Sequence, residues 1–156
     1  MEPDLADLMG LALEEAAAAP GHGDVPVGAV VGSPDGRVIA RRHNERERAA
    51  DPTAHAELLA LRDAAAHLRS WRLDGCLLVA TIEPCPMCAG AALAARIGTV
   101  VFGAPDPKAG ACGSLYNLGA DPRLNHEMRI VPGVRADEAG VLIRRFFARR
   151  RSPATG

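Results

Sequence analysis

The sequence predicts an α/β sandwich built around a mixed sheet, and three observations support this class. A continuous apolar run, residues 76–82, is typical of a central strand covered on both faces. Turn-forming residues 33–36 separate two β-rich stretches and predict a hairpin early in the chain. After residue 50, helical and strand patterns alternate, which indicates crossover connections and parallel strands.

Length and composition indicate one globular domain. The chain has 156 residues, of which 48% are hydrophobic and 24% charged, enough to bury a core. We expect one domain over residues 1–151 and a frayed tail over residues 152–156. The acidic N-terminus is unlike a signal peptide or a membrane span, so we expect a cytoplasmic protein with reduced cysteines.

The first elements are a helix and the hairpin. Apolar residues at helical spacing predict a helix over residues 4–19, which Pro20 ends. The hairpin strands are predicted at residues 24–31 and 37–40. Pro26 places the first of these strands at a sheet edge, or its first residues in a bend.

A second helix is predicted from about residue 53 to residue 67, because residues 51–53 form a helix start signal. Its apolar spacing assigns Leu58, Leu61 and Ala65 to the buried face.

The second half of the chain is predicted to continue the alternation. The strand at residues 76–82 is followed by a helix of small apolar residues at 86–95 and a strand at 98–103. Residues 104–122 are rich in Gly and Pro and predict a long loop, which is typical of a functional or mobile segment.

The chain is predicted to end with a strand and a helix. The strand is expected at residues 128–131 and the helix at residues 137–150, with Val141, Leu142 and Phe146 facing inward.

Two cysteines and one histidine have the composition of a zinc site. Cys85 and Cys88 are three residues apart and share one face of a helix that Pro86 can open. His55 adds an imidazole, and a set of three protein ligands leaves one coordination position for water. Glu57, two residues beyond His55, need not bind the metal and can transfer the proton of that water.

Two other interpretations of the cysteine pair stay open. A closed structural zinc site would need Cys76 or Cys112 as a fourth ligand, and it would give Glu57 no role. A redox-active pair would not need the distant histidine and glutamate. We expect Cys76 and Cys112 to be packing residues.

His55-Ala56-Glu57 and Pro84-Cys85-Pro86-Met87-Cys88 together resemble the signature of the zinc-dependent cytidine deaminase superfamily. The resemblance implies that His55, Cys85 and Cys88 hold one Zn²⁺ per subunit and that Glu57 is the catalytic proton shuttle. It also implies a three-layer α/β/α sandwich around a mixed sheet of about five strands.

Within the superfamily, the chain is similar to the bacterial tRNA adenosine deaminases, which convert the wobble adenosine of an anticodon to inosine. The similarity covers most of the chain and includes residues 25–30, 51–57, 83–90, 96–98 and 100–104. It implies a homodimer, with the helix at 86–95 as a candidate interface, and an anticodon stem-loop, of arginine tRNA, as the substrate. It implies no membrane partner and no organic cofactor.

The same similarity implies two groups of contact residues. The substrate-binding residues would be Asn44, Ala56 and Asp106, and the RNA-binding residues would be Lys108, Asn125, His126, Arg149 and Arg150. The residues alone leave simpler roles open. Asn44 can satisfy a turn, and the polar residues of the long loop can be ordinary surface residues.

Charge does not decide between these roles. The net charge is −1, which argues against a protein that coats nucleic acid through its overall charge. Near the C-terminus, however, five arginines cluster: Arg144, Arg145, Arg149, Arg150 and Arg151. They could contact phosphates, or they could be a solvated helix end that suits the negative end of the helix dipole.

Two other functional classes also stay open. A deaminase of free guanine or cytosine would share the zinc and Glu57 but would not need Arg149 or Arg150. A non-catalytic zinc protein that binds RNA would keep the arginines and tolerate the loss of Glu57.

Overall fold

A computed structural model describes residues 3–151 and contains a five-stranded sheet with helices on both faces. The strands are β1 (Gly28–Gly32), β2 (Val38–His43), β3 (Leu77–Ile82), β4 (Thr99–Ala104) and β5 (Arg129–Val131). The helices are α1 (Leu5–Ala18), α2 (Arg46–Ala49), α3 (Ala56–Leu68), α4 (Pro86–Ala94) and α5 (Ala136–Arg151). Two 3₁₀ turns, Ala19–His22 and Leu118–Ala120, complete the regular structure of the described residues.

The strand order is β2-β1-β3-β4-β5, and the sheet is mixed as predicted. Strand β1 runs antiparallel to both β2 and β3, whereas β3, β4 and β5 are parallel. The edge position considered for the first strand is wrong, because β1 lies inside the sheet and β2 forms the edge. Pro26 precedes β1, so it removes no donor from the sheet ladder.

Alternate residues of the strands face two apolar layers, which gives the three-layer sandwich. Val30 and Val79 pack in a cluster with α1 and with Ala139 of α5. Val31 and Leu78 belong to the cluster on the other face, which includes α3 and α4. The sheet therefore has α1 and α5 on one side and α3 and α4 on the other.

Helix α3 differs from its prediction in both start and buried face. It begins at Ala56, because the Asp51 carboxylate accepts from Thr53 N and Oγ1 and so forms a turn instead of a helix start. The buried face is wider than predicted, since the helix contacts both the sheet and α4. It contains Ala56, Glu57, Leu59, Ala60, Leu61 and Ala64, whereas the predicted Leu58 and Ala65 are half-buried.

Strand β1 begins four residues later than predicted, β2 extends three residues further than predicted, and α2 was not predicted, whereas the remaining elements lie close to their predicted positions. Helix α1 ends at Ala18 and the chain continues through Pro20 in a 3₁₀ turn. In α5, Phe146 is buried as predicted, while Val141 and Leu142 are half-buried. The predicted frayed tail lies outside the described residues. Between residues 3 and 151, the helices lack the combination of length and apolarity that crossing a bilayer requires.

Candidate metal centre and active site

The predicted metal ligands meet at the N-termini of two helices. His55 is the N-cap residue of α3 and Cys85 is the N-cap residue of α4, whose first position is Pro86. The Nδ1 atom of His55 lies 3.5 Å from Cys88 Sγ and 3.7 Å from Cys85 Sγ. The three ligand atoms all lie within 4.8 Å of one another.

The spacing of these atoms fits zinc. With Zn–N of about 2.0 Å and Zn–S of about 2.3 Å, tetrahedral geometry places nitrogen and sulfur about 3.5 Å apart. Cys76 and Cys112, the candidates for a fourth ligand, are buried in the apolar cluster beneath α3 and α4 and lie outside the ligand cluster. The set therefore has three protein ligands, which is typical of catalytic zinc.

The two thiols of the ligand set differ in acidity. A hydrogen bond from the Cys88 thiol, with a further one from His55, lowers the pKa of Cys85 to about 4. The same hydrogen bond to Cys85, together with burial, raises the pKa of Cys88. A metal ion bound here would take both sulfurs as thiolates and so displace any thiol proton.

Glu57 lies beside the ligands but outside the ligand set. It is the second residue of α3, it is only 3% exposed, and it lines the cavity together with His55 and Cys85. Burial raises the pKa of its carboxyl group, since water does not stabilise the charged form there. A buried carboxyl beside a metal-binding position is suited to accept and release protons.

The ligands open into a cavity of about 500 Å³, large enough for a purine base. Four predicted contact residues, Asn44, Ala56, Asp106 and Lys108, line this cavity. Its remaining walls are formed by Val25, Val27, Arg46, Ile82, Glu83, Pro105, Pro107, Ala109, Ile143 and Phe147, together with the site residues His55, Glu57 and Cys85.

Asn44 has both roles that the sequence allowed. Its side chain donates to Val25 O at 3.3 Å and accepts from Arg46 N at 3.1 Å, so it holds a turn. It also forms part of the cavity wall. Asp106 is similar, because its Oδ1 accepts from Lys108 N at 3.0 Å and so shapes the loop that closes the cavity.

The other predicted RNA contacts lie outside the cavity. Asn125 is exposed, and the ring of His126 donates from Nε2 to Ile97 O at 2.7 Å. Arg149 and Arg150 are exposed on α5 and line a second groove with Pro20 and Gly23. Phe147 of the same helix lines the cavity, whereas Arg149 and Arg150 line the second groove, whose Pro26 lies between the cavity residues Val25 and Val27 in the chain.

Glu83 is a site residue to which the sequence analysis gave no role. It is 1% exposed, and its carboxylate accepts from the backbone N–H groups of Asp106, Cys112 and Ser114 at 3.0–3.1 Å and from the Ser114 hydroxyl. Burial by itself would raise its pKa, but these hydrogen bonds lower it. Glu83 therefore fixes the loop that carries Asp106 and Lys108.

Residues 3–104 match a family described as the cytidine and deoxycytidylate deaminase zinc-binding region. The chain belongs to this deaminase family. The matched region contains the whole ligand set and Glu57, so the deaminase assignment covers the metal ligands and the carboxyl group beside them.

Two similar proteins carry names that refer to tRNA. This deaminase is 47% identical over 136 residues to a tRNA-specific adenosine deaminase of Bacillus subtilis, covering 87% of this chain and 84% of the relative. A solved structure of a tRNA:A34 deaminase, from work on A-to-I editing at the wobble position, has a TM-score of 0.83 and is 41% identical. It covers 87% of this chain and 98% of the other.

A third similar protein acts on a free base. The guanine deaminase of Nitrosomonas europaea has a TM-score of 0.77 and 29% identity, covering 94% of this deaminase and 86% of that chain. The shared fold thus extends to relatives whose named substrates differ in size, so the fold alone does not specify the substrate.

Proposed function

We propose that this protein converts the wobble adenosine of a tRNA anticodon loop to inosine by hydrolytic deamination, which releases ammonia. The observation that carries the proposal is that α5 contributes Phe147 to the wall of a zinc-type deaminase cavity and the exposed Arg149 and Arg150 to a second groove. The greater identity to tRNA deaminases than to the guanine deaminase supports the same substrate.

The chemistry divides between the metal and Glu57. Zinc held by His55, Cys85 and Cys88 would supply water that is activated for attack on C6 of adenine. Glu57 takes a proton from that water and gives it to the ring nitrogen next to C6. The carboxylate of Glu57 then takes the proton of the new C6 hydroxyl and gives it to the departing amino group, so ammonia leaves and the C6 carbonyl of inosine remains.

The cavity walls position the base. Ala56 is the first residue of α3, so its N–H has no partner within the helix and can donate to the purine. Asn44 can offer a donor and an acceptor to the edge of the base. Because an anticodon loop is single-stranded, moving its base into the cavity costs only a few kcal/mol.

The flanking nucleotides would contact the surface around the cavity. Lys108 lies at its rim, and we assign it to the nucleotides beside the target. Asn125 and His126 lie towards the opposite end of the sheet, because His126 bonds to Ile97 O ahead of β4, whose Thr99 pairs with Leu77. Arg149 and Arg150 would contact phosphates of the stem, where a guanidinium can form two parallel hydrogen bonds.

The deciding experiment measures inosine formation by the purified, zinc-loaded protein on an arginine tRNA anticodon stem-loop with a wobble adenosine. Parallel reactions contain free adenosine, cytosine or guanine. Inosine at the wobble position alone is the expected result. Ammonia release only from a free base would retain the deaminase chemistry and reject tRNA as the substrate.

Replacing Arg149 and Arg150 with alanine is expected to weaken binding of the stem-loop without changing kcat. Each lost phosphate contact should also reduce the slope of log Kd against log salt concentration by about 1. Binding measured by fluorescence anisotropy at several salt concentrations tests this expectation.

Arg37→Ala is the matched control for these arginines. Arg37 is exposed in the hairpin turn after β1, and β1 pairs Gly32 with Leu77 at the start of β3, whereas the cavity lies beyond its end at Ile82. The control should keep wild-type binding. An equal effect of Arg37→Ala would mean that only overall charge matters.

We also infer that the protein is a homodimer with one zinc per subunit, in which α4 takes part in the interface. Met87 of α4 is 37% exposed, and the exposed apolar residues Leu115, Tyr116 and Leu124 belong to the long loop and the segment that follows it. Sedimentation equilibrium is expected to give twice the mass of the chain, and Met87→Glu should lower that mass.

A further inference from the structure

Two histidines outside the catalytic site point the same ring nitrogen at each other. His22 ends the 3₁₀ turn after α1 and His43 ends β2, and their Nε2 atoms are 3.1 Å apart. Both side chains are 19% exposed, so the pair lies near the surface and solvent can reach it.

Each ring is held from behind by a carboxylate. The Nδ1 atom of His22 lies 2.7 Å from the buried Asp24, and the Nδ1 atom of His43 lies 3.0 Å from Glu15. A carboxylate can only accept, so both Nδ1 atoms carry the protons of these hydrogen bonds. Gly23, in the left-handed region at φ 82°, forms the turn that brings Asp24 back beside His22.

These hydrogen bonds leave two lone pairs facing each other. With its proton on Nδ1, a neutral imidazole offers a lone pair at Nε2, and two such lone pairs at this distance repel unless a cation lies between or beside them. The cation is either a proton shared by the rings or a metal ion. Imidazole nitrogen is a preferred ligand of zinc, nickel and copper.

The distance and the surrounding charge suit a metal ion. Two nitrogens at about 2.1 Å from one metal are about 3.0–3.4 Å apart in octahedral or tetrahedral geometry. A carboxylate behind each metal-binding histidine is the usual arrangement of such sites. Around the rings, the carboxylates of Glu14, Glu15 and Asp24 outnumber the one guanidinium bonded to them, that of Arg41.

We propose that His22 and His43 form a second metal site, which takes a divalent transition-metal ion such as Zn²⁺ or Ni²⁺ independently of the catalytic ligands. Water would complete the coordination of the ion. The ion would brace one wall of the active site, because Asn44 follows His43 and Val25 follows Asp24, and both residues line the cavity. Asp24 also accepts from Glu47 N and Arg48 N, so the brace extends to α2.

The test uses the full chain without an affinity tag, loaded with one equivalent of zinc. Calorimetric titration with NiCl₂, with zinc content measured before and after, is expected to show uptake of a second ion without release of the first. His22→Gln and His43→Gln should each abolish the second event. Glu15→Gln should weaken it by about 10–100-fold, since the carboxylate orients the ring.

His67→Gln is the matched control, because His67 is exposed near the end of α3 and should leave both events unchanged. Ni²⁺ should also raise the unfolding temperature of the wild type but not that of His22→Gln. Uptake of only one ion by the wild type, or a second ion retained by His22→Gln, would overturn the proposal. An imidazolium signal from the pair in the metal-treated wild type would assign the site to a shared proton.

Discussion

Glu57→Gln is expected to lower kcat for inosine formation by about 10²–10⁴-fold, the range that general acid–base catalysis contributes. The amide has the shape of the carboxyl group, so it fits the buried position without opening a void, but it cannot take up and release a proton. Zinc content and stem-loop affinity should stay at wild-type values, because Glu57 lies outside the ligand set. Single-turnover rates, metal analysis and anisotropy measure the three quantities.

The control for this substitution is Glu138→Gln, which makes the same chemical change at an exposed position of α5. It should retain the wild-type rate. Glu57→Ala should also bind zinc and RNA without forming inosine. Substantial turnover by either Glu57 variant at full zinc content would contradict the proton-transfer role of Glu57. The metal would then be the sole catalytic group.

The fold was predictable from local patterns. The apolar run at 76–82 predicted β3 as a central strand, and the turn residues 33–36 predicted the hairpin of β1 and β2. The buried face of α3 was not predictable in the same way. Helical spacing marked Leu58 and Ala65, but contacts with both β2 and α4 decide which side of this helix is buried.

The metal ligands were predictable because a histidine together with two cysteines three residues apart is typical of a zinc site. Cys85 is the N-cap residue of α4, a position that Pro86 signals locally, whereas His55 was expected inside α3 and is its N-cap residue. Roles that depend on distant partners were not predictable. Glu83 accepts from residues 23–31 positions further along the chain, and its local signal is only an acidic residue after an apolar strand.

Glu83→Ala is expected to lower both stability and activity while leaving the zinc ligands in place. The substitution removes the acceptor of three backbone N–H groups and one hydroxyl, and each buried donor left unpaired costs roughly 1–3 kcal/mol. Water entering the gap would recover part of this cost, so we expect a net loss of a few kcal/mol. Urea unfolding measures the loss, and kcat/KM on the stem-loop should fall because KM rises when the loop is no longer held.

A second substitution tests the loop without changing Glu83. A methyl group added at Gly110 would overlap the Glu83 carboxylate, so Gly110→Ala must displace either the side chain or the loop. If Glu83 acts by positioning the loop, Gly110→Ala should reproduce the raised KM of Glu83→Ala at full zinc content. Gly21→Ala is the control, because a methyl group there meets nothing within 4 Å. A wild-type KM in Gly110→Ala would mean that this loop does not position the substrate, and Glu83 would then serve stability alone.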